Sequence, residues 1–177
     1  MNVILPLADG FEEIEAVTVI DVLRRANVHV DTVGIQGTLI TSSRGIQMKA
    51  DKKMDDVNTD KYDALVLVGG SPGYLNLGKS KRLMDTITKF NEEKKTLAAI
   101  CAAPSLLAKA GILDERRATI FPGMEREIPR PRDGKVIIDE HVITSQGPGT
   151  AMEFALSLVE RFKGRGEAET LRKKLVA

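Results

Sequence analysis

The sequence predicts an α/β protein, a single domain built on a doubly wound, mostly parallel sheet with helices on both faces. A continuous apolar run at 3–7, largely apolar stretches at 62–68 and 96–100, and a Val-rich stretch at 28–35 read as strands, most of them buried on both sides. Stretches of helical composition lie between them, so strand and helix alternate in the manner of crossover units. No internal repeat, low-complexity tract or linker divides the 177 residues, a length that fits one domain.

The run at 3–7 reads as the first strand; Ala8-Asp9-Gly10 turns the chain, and a helix follows from 11 or 12 to 26. The second strand, 28–35, is bounded by Gly34 and Gly37, and 39–48 reads as a short hairpin through Ser42-Ser43-Arg44-Gly45. The strand at 62–68 ends at Gly69-Gly70-Ser71-Pro72-Gly73, and Ser80 offers an N-cap for a helix over 80–93. A strand at 96–100 delivers Cys101; 102–110 then has helical composition, with Pro104 tolerated in the first turn and Gly111 as the stop. A weak strand at 118–121, a Pro-rich loop and a hairpin pairing 135–138 with 141–144 come next. A helix opened by Gly147-Pro148-Gly149-Thr150 and running to 162, and a basic amphipathic helix over 167–176, complete the chain. In such a sheet the carboxyl ends of the strands form the ligand crevice, and the turns after Leu7, Val68 and Ile100 all fall there.

Composition excludes several function classes. Lys and Arg number 26 against 25 Asp and Glu, a net charge of +1 spread through the chain, so no one-signed field invites nucleic acid or a membrane surface. The basic cluster at 161–174 reads as a solvated helix face. No stretch approaches the roughly 20 apolar residues of a membrane span, and the apolar start lacks the basic flank and length of a leader. The single cysteine rules out an intramolecular disulfide framework, leaving a buried apolar filler or a free thiol in a reducing compartment, hence an expected cytoplasmic location. His29 and His141 occupy no motif and read as surface or strand residues, so no metal site is argued. Residues 69–73 match neither a dinucleotide fingerprint nor a P-loop, and no cofactor is expected.

Two residues carry the chemistry. Cys101 stands between an apolar strand and Ala102-Ala103-Pro104, whose small side chains permit a sharp turn, similar to a nucleophile elbow although G-x-S-x-G itself is absent. A thiol at a helix N-terminus is biased toward thiolate by the dipole; the competing reading is a small buried hydrophobe. Glu15 lies within a helix whose apolar residues run nearly all round, so one face packs on the sheet and the other suggests a subunit interface. Glu12 and Glu13 reach solvent in the first turn. Glu15, deeper in the apolar surface and near the crevice, is a carboxyl whose pKa burial raises, so that it serves as a protonated donor to a thiolate.

Taken together, Asp9-Gly10-Phe11-Glu12-Glu13-Ile14-Glu15, Val68-Gly69-Gly70, Ala98-Ala99-Ile100-Cys101-Ala102-Ala103-Pro104 and Thr144-Ser145-Gln146-Gly147-Pro148-Gly149-Thr150, in this order, resemble the ThiJ/PfpI superfamily. The resemblance covers almost the whole chain and points to the branch holding the Parkinsonism-associated deglycase and bacterial YajL. It implies a flavodoxin-like, glutamine-amidotransferase-like domain with Cys101 as nucleophile and Glu15 as the protonated acid that holds its thiolate. It further implies oxyanion-binding N–H groups from Gly70 and Ala102, a pocket-mouth Arg44 and an Arg25 contributed across a homodimer. Both arginines suit recognition of an anionic group, and both read equally well as solvated surface charges. Two positions depart from relatives. Ala102 stands where the protease-like branch has a His after the nucleophile, which disfavours an intracellular peptidase or amidase. Phe121-Pro122 replaces the His-Pro of deglycase-like members, which counts against strong glyoxalase activity.

The expected function is therefore a cysteine-dependent stress-protection enzyme with deglycase or weak glyoxalase-type activity on methylglyoxal and its adducts. Its partners would be a small aldehyde or glycated substrate and a second copy of the chain. A sensor or redox-regulated chaperone, acting through oxidation of Cys101, is the alternative.

Overall fold

All 177 residues are described by the structure, a computed structural model. The chain runs β1 (Asn2–Leu7), α1 (Glu13–Arg25), β2 (His29–Gly34), β3 (Leu39–Thr41), β4 (Gln47–Lys49), β5 (Lys52–Lys53), β6 (Ala64–Leu67), α2 (Gly73–Leu77), α3 (Lys81–Glu92) and β7 (Thr96–Ile100). It continues through α4 (Pro104–Lys109), β8 (Val136–Asp139), β9 (Val142–Ser145), α5 (Ala151–Lys163) and α6 (Arg165–Leu175).

Seven strands form one sheet in the order β5-β2-β1-β6-β7-β9-β8. Every pairing is parallel except β8 with β9. The five longer parallel strands, taken in chain order, lie 2-1-3-4-5, the flavodoxin-like arrangement, and the connections diverge to opposite sides between β1 and β6. That divergence opens a crevice at the carboxyl ends of the strands.

Both faces of the sheet are covered. Val3, Leu5 and Leu7 of β1 join one core with Val19 and Leu23 of α1 and Phe154 and Leu158 of α5, whereas Ile4 faces a second core with Leu83, Ile87 and Phe90 of α3. Period-2 alternation thus survives inside an uninterrupted apolar run, because each face meets helices rather than water. The Ser80 hydroxyl caps α3 by accepting the Leu83 N–H at 3.2 Å. No helix is long and apolar enough to cross a membrane.

Three readings need correction. Residues 118–121 form no strand: only Ala118 makes a bridge, to Pro131, because β9 is already flanked by β7 and β8 and offers no free edge. A short helix, α2, over Gly73–Leu77 separates the glycine turn from α3, where the sequence reading places no element before Ser80. His141 is not at the surface; it is buried, with Nε2 paired to Asn91 Oδ1 at 2.9 Å, and burial lowers its pKa. The basic side chains of α6 are outward, its inner face being Ala168 and Leu171.

Candidate active site

The ends of β1, β6 and β7 meet at the crevice, and each contributes one part of a site. Cys101 follows β7 directly with a φ of 63°, in the left-handed region, which costs a non-glycine residue on the order of 1–3 kcal/mol. Two backbone hydrogen bonds hold it there: its N–H donates to Ser145 O of β9 at 3.0 Å, and its carbonyl accepts the N–H of Phe121, in a loop, at 2.9 Å. The chain turns sharply at Cys101, and the thiol lines a cleft of about 390 Å³ together with Glu12, Arg44, Gly70, Tyr74 and Phe121.

Two glycines after β6 make room for this elbow. A Cβ on Gly69 would lie 2.7 Å from Cys101 Cβ and 3.1 Å from its Sγ, so the nucleophile's side chain occupies the space a larger residue would need. Gly70 has a φ of 92°, and a Cβ there would stand 2.4 Å from the Glu12 backbone nitrogen. The backbone N–H groups of Gly70 and Ala102 lie near enough to the Cys101 sulfur to favour its charged form.

Glu15, in the first turn of α1, is fully buried. Its Oε2 accepts the Gly69 N–H at 2.7 Å, tying α1 to the turn beneath the nucleophile. Oε1 is sealed from solvent and has no hydrogen bond of ordinary geometry, yet the carboxyl and the Cys101 thiol shift each other's titration. Burial pushes Glu15 up to about 7; the Gly69 N–H and the thiol pull it back, and the nearby Glu12 charge adds to the rise. Burial also pushes the thiol up to about 12, reinforced by the Glu15 negative charge. The expected dipole-driven thiolate therefore needs correction. Helix α4 begins only at Pro104 and has six residues, too little to outweigh burial and an adjacent carboxylate. The pair titrates as a unit: it loses one proton near 7 and holds the other beyond the usual thiol range.

Glu12 and Glu13, expected in solvent, are half-buried and engaged. Glu12 Oε2 caps α1 by accepting the Glu15 N–H at 2.7 Å, and Glu13 Oε2 accepts the Ser43 hydroxyl at 3.1 Å. Arg44 lines the cleft. Arg25 does not reach it; it sits in the last turn of α1, exposed and paired with Asp21 at 2.7 Å. Phe121 is 43% exposed and lies in the cleft wall. His29 is exposed and contacts Asp31 at 3.1 Å, away from the cleft. No group of three or more His, Cys, Asp or Glu side chains gathers in a metal-binding arrangement.

Glu12, Tyr74 and Met124 line the cleft without having been singled out from the sequence. The signal for Tyr74 was present in Pro72-Gly73, a helix-opening pair that positions α2 beside the elbow. Met124 sits in a loop, where no periodicity announces it.

Comparison with known proteins gives consistent results. The DJ-1/PfpI family model matches residues 1–161. Protein DJ-1 homolog B of Arabidopsis thaliana is 38% identical over 176 residues, 97% of this chain but 40% of that protein, so the chain spans less than half of that relative's length. The glutathione-independent glyoxalase DJR-1.2 of Caenorhabditis elegans is 32% identical over 176 residues, 98% of this chain and 94% of that one. Among solved structures, oxidized Toxoplasma gondii DJ-1 superposes with a TM-score of 0.96 at 34% identity, covering 99% of this chain and 97% of the other.

Proposed function

The chain belongs to the DJ-1/PfpI family, and from that premise we propose that it is a cysteine-dependent stress-protection enzyme acting on small reactive aldehydes such as methylglyoxal, or on their adducts. One observation carries the reading: the only thiol stands in a cleft, coupled to a buried carboxyl that titrates near 7, with two backbone N–H groups near its sulfur. A relative carries the glyoxalase name, which supports the same chemistry here.

Above about pH 7 the pair holds one proton, and the reactive form is the one that carries it on Glu15. With that proton on Glu15, Cys101 is a thiolate, and sulfur attacks the aldehyde carbon of methylglyoxal to form a hemithioacetal. The N–H groups of Gly70 and Ala102 stabilise the developing oxyanion, which takes the proton from Glu15. The Glu15 carboxylate then removes the hydrogen on the former aldehyde carbon and returns it to the adjacent ketone carbon, while the hemithioacetal hydroxyl proton passes to the former ketone oxygen, giving a lactoyl thioester. Water hydrolyses the thioester to lactate and restores the thiol. On an adduct, the same attack releases the amine or thiol that carried the aldehyde. Arg44 orients a polar or anionic substituent at the mouth, and Arg25 acts from a second copy.

The test is steady-state lactate production from methylglyoxal by wild type, Cys101→Ser and Glu15→Leu, with free aldehyde and adduct followed separately. Both variants should lose turnover by at least about 10²-fold. Cys101→Ser turning over at the wild-type rate would overturn the reading.

A second reading, redox sensing, is favoured by the oxidized state named for the Toxoplasma gondii relative. Two equivalents of peroxide convert the thiol to a sulfinate, releasing two waters, and the same N–H groups and Glu15 hold the new oxygens. Mass spectrometry after peroxide treatment separates the readings: a sensor retains the oxidised Cys101, whereas turnover requires the free thiol.

A further inference from the structure

The largest cavity in the molecule is not the nucleophile's. A groove of about 880 Å³ runs between α2, α4 and the 126–129 segment, and it meets the active-site cleft at Tyr74, which lines both. Its apolar surface comes from Leu75, Leu106 and Ile128. Leu75 is 49% exposed there, an apolar side chain on a short helix with no covering element. Lys79, Lys109 and Arg126 stand around the groove. None of them has a carboxylate partner within ion-pair distance, in contrast to Arg24, Lys52, Lys95, Arg116 and Arg130. Lys79 Nζ donates only to the neutral Asn76 Oδ1 at 2.9 Å, and Lys109 Nζ reaches only the Gly78 carbonyl at 3.4 Å. Glu127 is the single acid of the lining, so the groove carries a local surplus of positive charge on a chain whose overall balance is +1.

We propose that this groove is a second binding site, for a small amphiphilic monoanion: an acid group held by Lys79, Lys109 and Arg126, and an apolar body laid against Leu75, Leu106 and Ile128. The combination argues for one ligand class. An uncharged apolar ligand leaves three cations unanswered, and a small hydrophilic anion leaves Leu75 wet; pockets of this size bind through an apolar surface with a few oriented polar groups. The site lies on the α4 side of the sheet, opposite α1 and α5, so pairing of two copies through α1 leaves it open. It does not depend on the chemistry of Cys101.

Decanoate below its micelle threshold is a suitable probe, with decanol and acetate as controls for the apolar body and the charge alone. Calorimetry should show saturable decanoate binding to the wild type and to Cys101→Ser alike. Both controls and the exposed-residue double variant Lys79→Gln/Lys109→Gln should bind at least about tenfold more weakly. Leu75→Ser should weaken decanoate without restoring acetate. Circular dichroism confirms that the surface variants stay folded, and amide chemical shifts locate the probe. Shifts confined to the Cys101 cleft, equal affinity for decanoate and decanol, affinity unchanged in the double variant, or no binding at all would each overturn the assignment.

Discussion

At the scale of single residues, Glu15 and Cys101 have to be treated as one titrating object. Burial and the adjacent carboxylate favour the shared proton on sulfur, so the lower step, near pH 7, belongs mainly to Glu15. Thiolate absorbance should gain a small share of its amplitude there and the rest beyond the usual thiol range. Glu15→Gln should collapse the two steps into one. No thiolate amplitude at all in the lower step would remove the reactive form and defeat the mechanism. Stability provides an independent check. Glu15 rises from 4.5 to about 7 on folding, so between those values the folded state binds more protons than the unfolded one, and stability falls as pH rises through that window. In a Cys101→Ser background, adding Glu15→Gln should therefore gain on its parent by about 3 kcal/mol between pH 4 and 8 in urea melts. A constant difference would show that Glu15 does not titrate in that window. Phe121 makes a third case. Its ring faces the cleft and offers no proton transfer, so Phe121→His should raise methylglyoxal turnover, by up to about 10²-fold at neutral pH. No change would leave Glu15 as the sole shuttle.

At the scale of elements, the site depends on how closely three strand ends approach. Gly69 is the glycine that abuts the nucleophile, since a Cβ there meets Cys101 Cβ at 2.7 Å and the Ala102 backbone nitrogen at 3.1 Å. Gly69→Ala should cost about 1–3 kcal/mol in chemical denaturation and displace the thiol, with turnover falling although Cys101 and Glu15 are intact. Wild-type turnover in that variant would mean the elbow relaxes without functional loss. The same closeness explains what the sequence showed and hid. The apolar runs and Ser80 announced their strands and helix locally, whereas the left-handed φ of Cys101 is held by backbone hydrogen bonds with Ser145 at the end of β9 and with Phe121 in a loop, both distant along the chain.

At the scale of the molecule, α1 leaves Ile14 and Val17 more than half exposed, beside a Glu13 Oε1 that is buried without a partner. Burying two such side chains is worth roughly 1.5–3 kcal/mol each, and an unsatisfied buried acceptor invites a donor. A homodimer through this face is the expectation, and light scattering should give twice the chain mass of 19.3 kDa. Val17→Asp should shift the protein to monomer. A wild type that is monomeric at micromolar concentration would overturn the α1 interface and the role given to Arg25.

By itself the sequence determined the α/β class, the order of nearly all elements and the candidacy of Cys101 and Glu15, because apolar runs, caps and glycine turns are local signals read from neighbouring residues. The proton shared between those two residues was decided only by tertiary structure, since it depends on burial and on the Gly69 contact across 54 positions of sequence. So was the failure of 118–121 to form a strand, which follows from both edges of β9 being occupied. The burial of His141 against Asn91, 50 positions away, has the same origin. A residue's surroundings in a doubly wound sheet come from strands that are adjacent in space and distant in the chain, and no local pattern encodes them.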